Sequence, residues 1–343
     1  MSALQRLADV LLASVHLALY VRTLHLIQPG LYKPCAWMQS DILPKILPVF
    51  PNLESLNIRI YNWDPEYLHT NCEEAIYDLI RRSSLSSITL KDARMRTNTQ
   101  LLSLLQCLPF SLQSASFVTV FADNWYHDDS NNASAELCKL RSLHLDSYAP
   151  MLLHWAIRTV DPTCLRHLQT TVDEDTINVV QQLLDDAVCV ETYHLCFRSN
   201  FSHAESPNLE NMQGLRTLEV SVELDWDEIE EAEEEDGEGR HNPLNDAMRS
   251  LNTAPHVEHL ILNLNIWNPD QLFHFMGSYE VRSTSFEDFG EDRQALRDVV
   301  VRIRSRYNGY EALQRGIRHV EGAFHWLHER GMLTVIVVRP QDD

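Results

Sequence analysis

The stretch that decides the fold runs from Leu140 to Val220. It contains LRSLHL (Leu140 to Leu145), LRHLQT (Leu165 to Thr170), VETYHL (Val190 to Leu195) and LRTLEV (Leu215 to Val220), with starts 25 residues apart three times in succession. Each hexamer is apolar at positions one and four, polar at two and three, and mostly polar at five and apolar at six. A pattern recurring at a fixed period of 20 to 50 residues marks a repeat array. Working outward, the pattern recurs upstream as VRTLHL from Val21, LESLNI from Leu53, LSSITL from Leu85 and LQSASF from Leu112. Downstream it recurs as VEHLIL from Val257, LRDVVV from Leu296 and LTVIVV from Leu333. The intervals there are longer and less even.

Positions four and six share one parity and positions three, five and seven the other, as in a strand with one face buried and one exposed. Between the hexamers lie amphipathic stretches: Glu66 to Arg82, Thr99 to Leu108, Met151 to Val160, Asp173 to Ala187 and Tyr310 to Arg330, the last ended by Gly331. A strand followed by a helix, repeated, lays its strands in parallel, and each unit leaves an apolar face that only its neighbours cover. The expected fold is α/β: one irregular leucine-rich-repeat-like (ribonuclease-inhibitor-like) solenoid domain over residues 1–343, with a curved parallel sheet and outer helices. Ala115 and Thr170 stand where the pattern asks for a large apolar residue. Before the first hexamer, Leu4, Leu7, Leu11 and Val15 are spaced as one face of a helix.

Composition narrows the function. The chain has 343 residues, with 28 Lys+Arg against 49 Asp+Glu and a formal net charge of −21. That balance argues against a general binder of nucleic acid, whose affinity rests on cationic side chains. Eleven acids and no base fall between Glu223 and Glu238, so an insertion at 223–243 is expected to be solvated and disordered. A docking loop for basic proteins such as histones is the alternative this run suggests. No apolar run reaches the roughly 20 residues that span a bilayer, so no membrane partner is expected. Seven cysteines match no disulfide or zinc spacing and read as thiols of a cytoplasmic or nuclear protein.

If the strands stack in register, columns can be read across repeats. Position three runs Thr23, Ser55, Ser87, Ser114, Ser142, His167, Thr192, Thr217, His259. Position five runs His25, Asn57, Thr89, Ser116, His144, Gln169, His194, Glu219, Ile261. Small and polar residues dominate both. The candidate partner-binding residues on this concave face are His25, Asn57, Thr89, His144, His167, Gln169, His194 and Glu219. Aromatics follow several strands, and Trp63, Trp125, Trp226 and Trp267 are candidates for a loop-edge contact or for pins that hold a turn on the next helix. His144, His167 and His194 fall on successive repeats, yet no metal site is expected from them. No phosphate loop, Gly-x-Ser-x-Gly or His-Glu-x-x-His is present, and nothing selects a nucleophile among the cysteines. No enzyme activity, cofactor or metal is expected.

The steps HLALYVRTLHL (His16 to Leu26), FPNLESLNI (Phe50 to Ile58), LCKLRSLHL (Leu137 to Leu145) and LHERGMLTVIVV (Leu327 to Val338) resemble the leucine-rich-repeat-like region of fungal-type F-box proteins. The resemblance implies a repeat array that recruits a protein substrate. It also implies partners among cullin–RING ubiquitin ligase components, reached in that family through an N-terminal F-box. No F-box is legible ahead of the first repeat.

Overall fold

The computed structural model describes residues 3–28, 30, 35, 37–82, 84–122, 137–146, 150–197, 206–224, 249–266, 295–305 and 310–338. The acidic insertion expected at 223–243 begins two residues later than its charge suggests, because Glu223 and Leu224 still belong to the strand Thr217–Leu224; residues 225–243, and Trp125, Trp226 and Trp267, lie outside the described residues. The chain divides into two compact units, Met1–Leu165 and Arg166–Asp343.

In the first unit, strands β1 (Thr23–Ile27), β2 (Ser55–Arg59), β3 (Ser87–Met95), β4 (Ser114–Ala122) and β5 (Ser142–Asp146) pair in chain order, every pair parallel. The register is the one the sequence columns predict: Thr23 opposite Ser55, then Ser87, Ser114 and Ser142. The carbonyl at position two repeats one motif. Arg22 O accepts the N–H groups of Glu54 and Ser55 at 2.8 and 2.9 Å, Glu54 O accepts those of Ser86 and Ser87, and Ser86 O accepts those of Gln113 and Ser114. The strand entry is therefore fixed before side chains are considered.

The face carrying positions four and six is buried: Leu56, Ile58, Ile88, Leu90, Ala115, Phe117, Leu143 and Leu145. Helices α4 (Thr70–Arg82), α5 (Asn98–Gln106) and α6 (Pro150–Thr159) supply its counterpart through Cys72, Ile76, Ile80, Leu101, Leu104, Leu152 and Ala156. Thr97 Oγ1 accepts from Gln100 N at 3.2 Å at the head of α5. Helix α4 begins four residues later than its periodicity suggests, because Asp64 to Leu68 form a turn closed on Asp64 O. Ala115 is a fitting residue rather than a gap: it is fully buried, two residues from Phe117, whose ring meets Trp155 edge-on at 5.6 Å.

The N-terminal periodicity misplaced the buried face. Helix α1 (Ala3–Ala13) buries Ala8 and Leu11, whereas Leu7 and Val15 are about half exposed. A break at Ser14 starts the short helix α2 (Val15–Ala18) and rotates Val15 off the α1 stripe, leaving Ala18 to face inward, and one further short helix, α3 (Leu43–Ile46), precedes β2.

In the second unit, β6 (His167–Val172), β7 (Thr192–Phe197), β8 (Thr217–Leu224), β9 (His259–Ile266), β10 (Asp298–Ser305) and β11 (Leu333–Val338) again pair parallel and in chain order. Arg166 O, Glu191 O and Arg216 O each accept the two N–H groups that open the next strand. Position-two side chains alternate in sign, Arg166, Glu191, Arg216, Glu258, Arg297, and Glu258 pairs with both Arg216 at 3.6 Å and Arg297 at 3.1 Å. Thr170, at a core position, is satisfied: it shares a hydrogen bond of 2.7 Å with the phenol of Tyr193, and both side chains are fully buried. Desolvation pushes that phenol's pKa up.

The acids ahead of α7 (Ile177–Asp186) form a cap rather than a first turn. Asp173 Oδ1 accepts from Thr176 N at 2.9 Å, and Thr176 Oγ1 accepts from Asp173 N at 3.0 Å. The expected long C-terminal helix is two, α8 (Tyr310–Ala323) and α9 (His325–Glu329). Gly331 does end the latter, with φ +67°: its N–H reaches His328 O at 3.0 Å, and Met332 N reaches Leu327 O at 2.9 Å.

The last hexamer is out of step. Leu333 stands opposite Val299, not opposite Leu296, so Val335 faces Val301 and Ile336 faces Arg302 on the polar side, where it is 42% exposed. LTVIVV is apolar at both parities, and alternation cannot set its register.

Candidate functional site

A parallel sheet ordinarily has both faces covered. Here the position-three and position-five side chains of β2 to β5 are half-exposed, and His25 and Thr23 on β1 are exposed. The first unit thus presents His25, Asn57, Thr89, Ser116 and His144 as one in-register column. Within it, Ser116 Oγ and His144 Nδ1 lie 3.1 Å apart.

The second unit carries the denser array. Gln169, His194 and Glu219 stand opposite one another at position five, and Thr171, Cys196, Ser221, Asn263 and Arg302 at position seven. Each position-five side chain reaches diagonally to position seven of the following strand. Gln169 Nε2 points to Cys196 Sγ at 3.8 Å, His194 Nε2 lies 2.7 Å from Ser221 Oγ, and Asn263 Nδ2 donates to Glu219 Oε1 at 2.6 Å. Cross-links join the rows. Asn263 Nδ2 also contacts Ser221 Oγ at 3.0 Å, and Arg302 reaches across β9 to Glu219 Oε1 at 3.3 Å. Asn263 Oδ1 is buried without a hydrogen-bond partner among the described residues. One continuous polar network therefore spans five strands, with a carboxylate held by an amide and a guanidinium at one end and a thiol at the other.

His167 lies at position three, opposite Thr192, so it stands in a different column from His194. Among the described residues no group of three or more His, Cys, Asp or Glu could hold a metal ion. Further along the position-three column, His259 Nδ1 pairs with Asp298 on β10.

Trp63 is not a surface contact. It is fully buried in the first unit and stacks on Tyr77 of α4 at 6.3 Å. Gln100 Nε2 donates to both Trp63 O and Glu73 Oε1 at 2.9 Å, and the Tyr77 hydroxyl donates to Glu73 at 2.7 Å. The residue pins the turn after β2 to the next two helices, the second of the two roles open to it from sequence.

Sequence reasoning missed Ser221, Cys196, Asn263 and Arg302. Their parity was readable, since position seven faces the same way as positions three and five. The hexamer simply stopped one residue short of strands that run for six to eight residues in this unit.

Comparison with protein-family models gives no match, and comparison with curated proteins gives none. Among the described residues no helix is long and apolar enough to cross a membrane.

Proposed function

We propose that the chain is a leucine-rich-repeat-like solenoid with a non-enzymatic role, binding another protein through the polar face of its strands. In the fuller form of this reading it selects the substrate of an F-box-type ubiquitin ligase adaptor. The observation that carries the binding role is the in-register polar face, open in both units and cross-linked by hydrogen bonds from Gln169 to Arg302 in the second. Side chains already fixed by their neighbours lose less entropy on binding than free ones.

The test is affinity capture with the full chain beside two face variants, His25→Ala/Asn57→Ala/Thr89→Ala in the first unit and Gln169→Ala/His194→Ala/Glu219→Ala in the second. Partners lost from either variant, while its melting temperature is kept, support the reading. Identical captured sets for all three proteins would sink it. Co-purification of cullin–RING components decides the adaptor role separately, and their absence would leave a stand-alone binder.

A further inference from the structure

Seven thiols are present and the sequence ranks none of them, but the fold does. Cys196 lies half-buried on the polar face of β7. Its Sγ is 3.4 Å from His194 Nε2, two residues earlier on the same face, and Gln169 Nε2 approaches it from β6 at 3.8 Å. His194 Nε2 also contacts Ser221 Oγ, whose oxygen is in turn contacted by the Asn263 amide. In the tautomer with its proton on Nδ1, the imidazole turns its Nε2 lone pair toward both the serine hydroxyl and the thiol.

We propose that Cys196, with His194 as its proton acceptor, is a modification site that takes soft electrophiles and low-molecular-weight disulfides. The thiol proton passes to His194 Nε2. The thiolate is then held by the imidazolium and by the Gln169 amide N–H. It attacks one sulfur of a disulfide, the S–S bond breaks, and the departing thiolate takes up the proton. The product is a mixed disulfide on Cys196 and one free thiol, with no other oxidant required. On the strands flanking β7, the ionisable residues facing this pair are His167 of β6 and Glu219 of β8, and Glu219 is already bound by Asn263 and Arg302.

The other thiols lack this arrangement. Cys72, Cys107 and Cys138 are buried, and burial raises their pKa values and that of Cys35. Cys164 points at the Asp161 carboxylate, 3.5 Å away, which opposes a second negative charge. Among the described residues no other cysteine has an imidazole nitrogen on its sulfur. The site goes beyond the binding role, though a bulky adduct here would sit in the middle of the polar face.

The experiment is timed labelling of the folded full chain, with iodoacetamide and in parallel with glutathione disulfide, read by peptide mass mapping of all seven cysteines. Cys196 is expected to react about tenfold faster or more than Cys35, Cys164 or Cys189. His194→Gln should bring its rate down to theirs and move the pH midpoint of its labelling, without changing the melting temperature. Cys196→Ser should remove the fast phase. A wild-type Cys196 no faster than the other part-exposed thiols would overturn the proposal whatever the variants do. So would an unchanged rate and pH profile in His194→Gln.

Discussion

Asp92 on β3 and Thr119 on β4 occupy the same register position, and both have positive φ, 51° and 52°. The paired kink inserts one residue into each strand, so the buried set changes parity, from Ile88 and Leu90 to Ala93 and Met95, and from Ala115 and Phe117 to Val120 and Ala122. A left-handed conformation is costly for a β-branched residue. Asp92 is anchored by Arg59 at 2.6 Å, whereas Thr119 bears the strain. Thr119→Asn is expected to stabilise the protein by about 0.5–1 kcal/mol, since Asn tolerates this region. Urea unfolding checks it, and a lower midpoint would show that the hydroxyl matters more than the strain.

The Thr170–Tyr193 bond is fully buried, so removing one partner strands the other. Tyr193→Phe and Thr170→Val should each destabilise by about 1–2 kcal/mol, and the double variant by less than the sum. A double-mutant cycle in denaturant measures this. Additive losses would mean the two groups do not depend on each other.

Trp63→Ala removes a fully enclosed ring and its stack on Tyr77, and should cost about 3–5 kcal/mol. A surface aromatic would cost far less. Thermal melting of the variant separates the two, with a loss under about 1 kcal/mol contradicting the buried position.

Glu258 sits between Arg216 and Arg297, so Glu258→Lys places three cations in one column. We expect a loss of about 1 kcal/mol, shrinking in high salt. A loss independent of salt would point to packing rather than charge.

Alkaline pH should destabilise the chain. Burial, reinforced by Asp41, raises the Cys72 thiol from 9.0 to about 11, and burial likewise raises Cys107, Cys138 and Tyr77. Each native group then holds its proton where the unfolded chain has lost it. The stabilisation is complete below about pH 9 and declines toward pH 11 and beyond. Urea midpoints measured from pH 7 to pH 11 should fall, and Cys72→Ala should flatten the curve. Midpoints constant across that range would refute the assignment.

The columns were legible because each hexamer alternates cleanly and the register keeps equivalent positions opposite one another, as Asn57 with Thr89 or His194 with Glu219. Where alternation fails, so does the reading. Leu333 to Val338 carries a single polar residue, Thr334, with Ile336 and Val338 at the same parity, and the stripe through Leu7 and Val15 was broken by the turn at Ser14. The kink at Asp92 and Thr119 has no clear sequence signal, since Asp tolerates the left-handed region without marking it and a threonine argues against it. The diagonal network needed coordinates, because parity places His194 and Ser221 on one face without saying that they touch.

Because strand order follows chain order within each unit, neighbouring rungs close loops of only a few dozen residues, such as the 25 from His167 to Thr192. Such topology has low contact order, and assembly can begin at any adjoining pair and grow outward. Amide exchange should therefore be graded rather than uniform, quickest at β1, which pairs only with β2, and slowest at the interior β3.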